Sequence, residues 1–179
     1  MPWPVRGIDR ERLNRRPQKL VFLSLMTALA MVLQILESLI PNPVPWIRLG
    51  LANVIILIVL SVFGIKEGLI VTGLRVFLAS TLLGTIFGPT FWLSFSGGMT
   101  STLGMGLMLS LFPGTFSLIG VSIVGAFIHN LVQLAVAILF IIRQSGLVYL
   151  LPILLVTALI AGSITGVIAT LVLKKIEVH

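Results

Sequence analysis

Six polar residues interrupt a sequence that is otherwise almost wholly apolar: Glu37, Asn53, Arg75, His129, Asn130 and Gln133. Their chemistry is that of binding. Arg75 supplies a fixed positive charge that would face an anionic group, and Glu37 would orient it. His129 and Gln133 stand four positions apart and share one face of a helix, with Asn130 on its flank. The chain around them is 58% hydrophobic and only 9% charged, so it reads as an integral membrane protein. A charge inside a bilayer costs several kcal/mol or more and marks a ligand path, a relay or a forced ion pair.

Catalysis finds little support. Aspartate occurs once, as Asp9, and there is no paired acid site. A prenyl-transfer enzyme needs aspartate-rich clusters to hold magnesium against diphosphate. No phosphate loop of the form GxxxxGK[ST] is present, so the chain does not power itself with ATP. Cysteine is absent, which rules out disulfides and thiolate metal sites. A histidine without nearby carboxylates is weak for metal. The expectation is a non-enzymatic binding protein with no catalytic residue, metal or cofactor.

Helices must position these groups. At about 20 apolar residues per span, 179 residues allow six or seven membrane helices and no separate soluble domain. The apolar runs predict helices over about 20–40, 49–63, 69–87, 99–112, 116–142 and 147–173. Pro41-Asn42-Pro43-Val44-Pro45 breaks the first, because proline removes an amide donor. Gly64-Ile65-Lys66-Glu67-Gly68 reads as a tight charged turn. Gly88-Pro89 ends the third helix, and Thr90–Gly98 reads as a loop holding Phe91, Trp92 and Phe95. Ala28-Leu29-Ala30 resembles a signal-peptide cleavage site, but the apolar run continues to Ile40, so a retained span is expected.

Charge sets the sidedness. Arg6, Arg10, Arg12, Arg15, Arg16 and Lys19 precede the first run, and Lys174 and Lys175 follow the last. With Lys66 they fall on one side of a six-span chain, the cytoplasmic side by the positive-inside rule; Arg48 and Arg143 fall outside. The net charge of +7 therefore reflects topology beside membrane lipid, and no nucleic-acid partner is expected. The domain reading is a basic cytoplasmic tail over 1–19 and a six-helix transmembrane domain over 20–175, in the cell (plasma) membrane. Small residues recur at Ala158, Gly162 and Gly166, and at Gly64, Gly68 and Thr72, as helix contacts in lipid require. They suit packing within the chain or docking onto another membrane subunit.

Helical rise gives depth. Arg75 lies nine residues after Lys66, roughly 13 Å along a helix and near mid-membrane. His129 lies at a similar depth. Gln34 and Glu37 lie in the last third of the first helix, and Asn53 towards the outside. The polar groups thus converge on the middle to outer half of the bundle. Trp46 and Trp92 suit interfacial anchoring by type, with Trp92 also a candidate to stack on a ligand. Met99, Met105 and Met108 read as packing.

Several segments together resemble the Gx transporter family, many members of which carry the label heptaprenyl diphosphate synthase component I. They are Arg48-Leu49-Gly50-Leu51-Ala52-Asn53-Val54; Gly64-Ile65-Lys66-Glu67-Gly68; Arg75 with Ser80 and Gly84; Ser94-Phe95-Ser96-Gly97-Gly98 with Ser101 and Met105; and Phe116-Ser117 followed by Gly120, Ser122, Gly125-Ala126, His129-Asn130 and Gln133. That family is similar to the substrate-binding S components of energy-coupling factor (ECF) transporters. The resemblance implies a six-helix S-component-like bundle, a small-molecule ligand bound from outside, and as partners a T subunit with two cytoplasmic ATPases. S components dock through an Ala-xxx-Ala stripe on the first helix, and this chain has Ser24-xxx-Ala28 instead.

The expected function is a substrate-binding membrane subunit of an ECF-type importer for a small anionic molecule: a vitamin, a quinone or isoprenoid, or a phosphorylated precursor. Arg75, His129, Asn130, Gln133, Asn53, Glu37 and Trp92 would form the site, covered from outside by Pro41–Pro45 and Thr90–Gly98. Two rivals stand beside it. One is an accessory membrane subunit of a prenyl diphosphate synthase or of a quinone or flavin electron-transfer system. The other is a self-contained carrier, which inverted repeats would support and the sequence does not display.

Overall fold

A computed structural model describes residues 16–39, 50–141 and 145–177. Among the described residues there are six α-helices and no strand: α1 Arg16–Leu39, α2 Leu51–Val62, α3 Ile65–Leu82, α4 Pro89–Leu111, α5 Leu118–Val136 and α6 Leu151–Glu177. A π turn over Ala137–Ile141 extends α5, and a 3₁₀ segment over Ser145–Leu150 leads into α6. The fold is therefore all-α. Pro41–Pro45, Trp46, Arg48, Arg143 and the tail before Arg16 lie outside the described residues.

Three stretches are long and apolar enough to cross a membrane: Pro17–Leu39, Leu118–Ile141 and Gly146–Lys175. They present large hydrophobic side chains outward, among them Leu25, Leu36, Leu139, Phe140, Ile160 and Leu171. Water would penalise such a surface and lipid does not, which marks the chain as a membrane protein.

The centre of the bundle is α2. Ala52 and every residue from Val54 to Val62 is buried, and the helix touches each of the other five. A helix apolar on all sides belongs inside a larger structure. Its 12 residues span only about 18 Å, short of the roughly 30 Å hydrocarbon layer. Thus α2 serves as a core post around which the longer helices stand.

Local chemistry explains where the helices begin and end. Gly50 takes φ 72° and Gly64 φ 100°, conformations that favour glycine, and they start α2 and α3. The expected charged turn at 64–68 is accordingly one residue of turn followed by the first turn of α3. At the other end of α3, Thr85 N–H donates to Ser80 O and Gly84 N–H to Thr81 O. With Gly84 at φ 67° this is a Schellman stop, and it ends α3 five residues before the expected Phe87. Ser117 caps α5 by accepting the Gly120 N–H at 3.1 Å.

The structure corrects one expectation outright: Thr90–Gly98 is not a covering loop. Pro89 occupies the first turn of α4, where its fixed φ favours helix and its missing donor costs nothing. The helix then runs through Gly97 and Gly98, whose lack of a side chain serves close helix approach.

Small residues along α6 explain the tightest crossing. A Cβ added at Gly162 would stand 2.6 Å from the Ile123 Cα, and one at Gly166 would stand 2.6 Å from the Ile119 Cα. The Ala158, Gly162 and Gly166 stripe thus packs α6 against the backbone of α5. Ser122 and Thr165 share a hydrogen bond of 2.7 Å across the same seam. On α3, Gly68 faces Leu60 and Thr102, and Thr72 bonds Thr102 at 2.8 Å. Ser24 and Ala28 are exposed on α1.

Candidate functional site

Arg75 is the hub. It sits in the middle of α3 and is 5% exposed. Its Nη1 donates to Gln34 Oε1 of α1 at 3.1 Å. Its Nη2 donates to Asn53 Oδ1 of α2 at 3.1 Å. The guanidinium fork is planar and carries donors in fixed directions, so two neutral acceptors on separate helices lock its orientation. Gly98 of α4 packs beside it against Thr72: a Cβ there would stand 3.1 Å from Thr72 Cγ2 and in ordinary contact with Nη2 at 3.6 Å.

Glu37 lies one turn beyond Gln34 on the same face of α1 and is buried. Its Oε1 accepts the backbone N–H of Leu51, the first residue of α2. The carboxylate therefore caps a helix whose own cap residue, Gly50, has no side chain to offer. A negative charge at a helix N-terminus is favourable, and a charge-assisted hydrogen bond is among the stronger kinds. Glu37 thereby fixes the entry to the helix that carries Asn53. Gly50 permits the approach: besides its positive φ, a Cβ would press on Asn53 Nδ2 at 3.2 Å.

The α5 residues divide between two neighbours. His129 and Gln133 both pack on Gly97 of α4, where a Cβ would lie 3.2 Å from the His129 ring and 2.9 Å from Gln133 Cγ. Gln133 Nε2 donates to Leu93 O at 3.3 Å. Asn130 turns towards α6 and donates to Leu154 O at 2.9 Å.

All six helices meet around one cavity of about 40 Å³. Glu37, Asn53, Arg75, His129 and Asn130 line it, as do Gln34, Ser94, Ser122 and Thr165. Of the residues expected to act together, these five are brought together. Gln133 stands behind His129 and bridges α5 to α4. Trp92 lies elsewhere: it is half-exposed in a separate groove with Phe87 and Phe140. Gln34 escaped assignment although its spacing from Glu37 places both on one face. Ser94, Ser122 and Thr165 are hydroxyls of kinds common on membrane helices, and nothing in their spacing sets them apart.

The cavity holds donors and acceptors in balance. Arg75 and Glu37 bring opposite charges, the amides of Asn53 and Asn130 offer both donor and acceptor, and His129 offers an imidazole. A volume of about 40 Å³ accommodates a few water-sized groups, so a larger ligand requires side chains to swing aside. Among the described residues no cluster of His, Cys, Asp and Glu could hold a metal ion.

No curated protein and no solved structure matches the chain. A family model described as heptaprenyl diphosphate synthase component I matches residues 26–172, a span that reaches into all six helices and takes in every residue of the cavity, and the chain belongs to that family.

Proposed function

We propose that this protein is a non-catalytic membrane subunit that captures a small anionic molecule from outside the cell and passes it to an ATP-driven import module, in the manner of an ECF S component. The observation that carries the reading is the buried Arg75, held by Gln34 and Asn53 at the edge of a polar cavity. A guanidinium in this position costs too much to serve as filler in a bundle of apolar helices, and its fork suits carboxylate or phosphate. Six helices form the membrane bundle in this reading, with the short α2 enclosed by the other five and both termini cytoplasmic. The Lys19–Glu67 ion pair and the position of Lys19 over the Phe63 ring at 5.6 Å hold the start of α1 beside the α2–α3 junction, so Lys19 and Lys66 share one side as the positive-inside rule asks. The Arg75 cavity then lies towards the outer half. ATP hydrolysis comes from partner subunits, a T subunit and two ATPases.

A second reading rests on the family's description: an accessory membrane subunit of a prenyl diphosphate synthase. Purification of the tagged protein from its native membrane in mild detergent, with partners identified by mass spectrometry, separates the two. Import predicts a membrane T subunit with ATPases. Recovery of a soluble prenyl synthase without any ATPase would replace import with the accessory role.

A further inference from the structure

On the lipid side of the bundle, α1 and α6 each pack on the intervening α2, which leaves a groove of about 360 Å³ with α2 as its floor. Phe22, Met26 and Leu33 line it from α1, Ile55 from α2, and Ile168 and Val172 from α6. Every side chain along it is apolar. Its volume falls in the range of about 300–1,000 Å³ over which proteins hold small molecules. Phe22 and Leu33 are 11 residues apart, about 16 Å along α1. That is the depth of one leaflet in a hydrocarbon layer roughly 30 Å thick.

One end of the groove is basic. Phe22 packs on Phe63 with ring centroids 5.4 Å apart, beside the α2–α3 junction, so Phe22 and Val172 mark the end that the proposed topology places at the cytoplasmic surface. Lys175 follows Val172 by three positions, one turn along the same flank of α6, and is exposed. Lys174 is exposed too, but 3.6 residues per turn put it on the side of α6 away from the groove. On α1, Lys19 at this level is engaged by Glu67. Among the described residues, Lys175 is therefore the cation that flanks the mouth.

We propose that this groove binds an anionic phospholipid of the inner leaflet, with one acyl chain along α2 between α1 and α6 and the phosphate at Lys175. The site is separate from the Arg75 cavity and independent of what that cavity captures. Three observations favour a lipid over a partner helix. Membrane helices approach one another through small residues, and the walls here are Phe, Met, Leu, Ile and Val, which a flexible chain can fill and a rigid helix cannot approach closely. The length matches one leaflet. A cation stands at one end only, where the anionic lipids of the cytoplasmic leaflet carry their heads, and basic pockets between membrane helices on that side suit such heads.

The test uses the full chain in detergent micelles and native mass spectrometry, with two probes of identical acyl chains: phosphatidylglycerol and phosphatidylcholine. Wild type is expected to retain one phosphatidylglycerol about fivefold more tightly than phosphatidylcholine, the preference that one lysine near the membrane surface supplies. Lys175→Gln is expected to abolish that preference, and Lys174→Gln, the same loss of charge on the far side of α6, to keep it. Leu29→Trp and Ile168→Trp fill the groove and should weaken both probes, whereas Val167→Trp, exposed on the outer side of α6, should weaken neither. No preference in wild type, equal effects of the two lysine variants, or retention that survives both groove variants would overturn the site. Leu29→Cys carrying a benzophenone, the sole thiol of the chain, is expected to give no protein adduct in native membranes; a cross-linked membrane subunit would hand the groove to a partner helix. Each variant is compared only after it elutes and melts as wild type does.

Discussion

Arg75 ties three helices through one guanidinium, and its partners should report that. Gln34→Ala and Asn53→Ala each remove an acceptor from a buried charge, which costs about 1–3 kcal/mol. Either variant should melt measurably below wild type in detergent, whereas a truncation at exposed Leu25 should not. Arg75→Lys keeps the charge but loses the fork, because an ammonium is a compact point charge that does not reproduce the planar donors. It should remain folded and bind ligand at least about tenfold more weakly, a loss of roughly 1.4 kcal/mol; wild-type affinity in that variant would show that charge alone suffices. At this scale the sequence disclosed the charged members, because a guanidinium or carboxylate in an apolar run must be paired or put to use. It did not disclose that Glu37 caps α2. That role depends on Leu51, which is an ordinary apolar residue until the fold brings its N–H to the end of α1.

Helix seams are where glycine decides the packing. At Gly162 and Gly166 the obstructing atoms are backbone Cα atoms of Ile123 and Ile119, which do not rotate away. Gly162→Leu or Gly166→Val should force α5 and α6 apart and cost at least about 1–3 kcal/mol as overpacking, read as a lower melting temperature. Gly146, with nothing within 4 Å of its Cβ position, should accept alanine silently. The small-residue stripe was legible as a contact face, while its partner, α5, was not, since spacing alone does not distinguish packing within the chain from docking. The misreading of Thr90–Gly98 has the same root. Gly97-Gly98 signals a break when helix propensity decides. Here tertiary approach decides: His129 and Gln133 fill the space above Gly97, and the Thr72 methyl that above Gly98. Removal of the side chain is what allows the helix to pass there.

Across the whole molecule, the proposed topology makes a clean labelling prediction. The chain has no cysteine, so each introduced thiol is the sole reactive site. Lys66→Cys and Lys174→Cys should react with an impermeant reagent only from the cytoplasmic face of membrane vesicles, and Thr85→Cys only from the opposite face. Labelling of Lys66→Cys and Thr85→Cys from the same face would break the topology. Hydropathy made the helix number legible, and the sidedness that charge suggests is what the labelling decides. The core position of α2 was hidden, because an apolar run reads alike whether lipid or protein surrounds it. The central claim is that Arg75 holds a small acidic molecule, and it is tested most directly by denaturing protein purified from its native membrane and identifying what is released by mass spectrometry. An acidic compound released by wild type and missing from folded Arg75→Gln is the predicted result. Equal release from both proteins, or no compound from wild type, would contradict it.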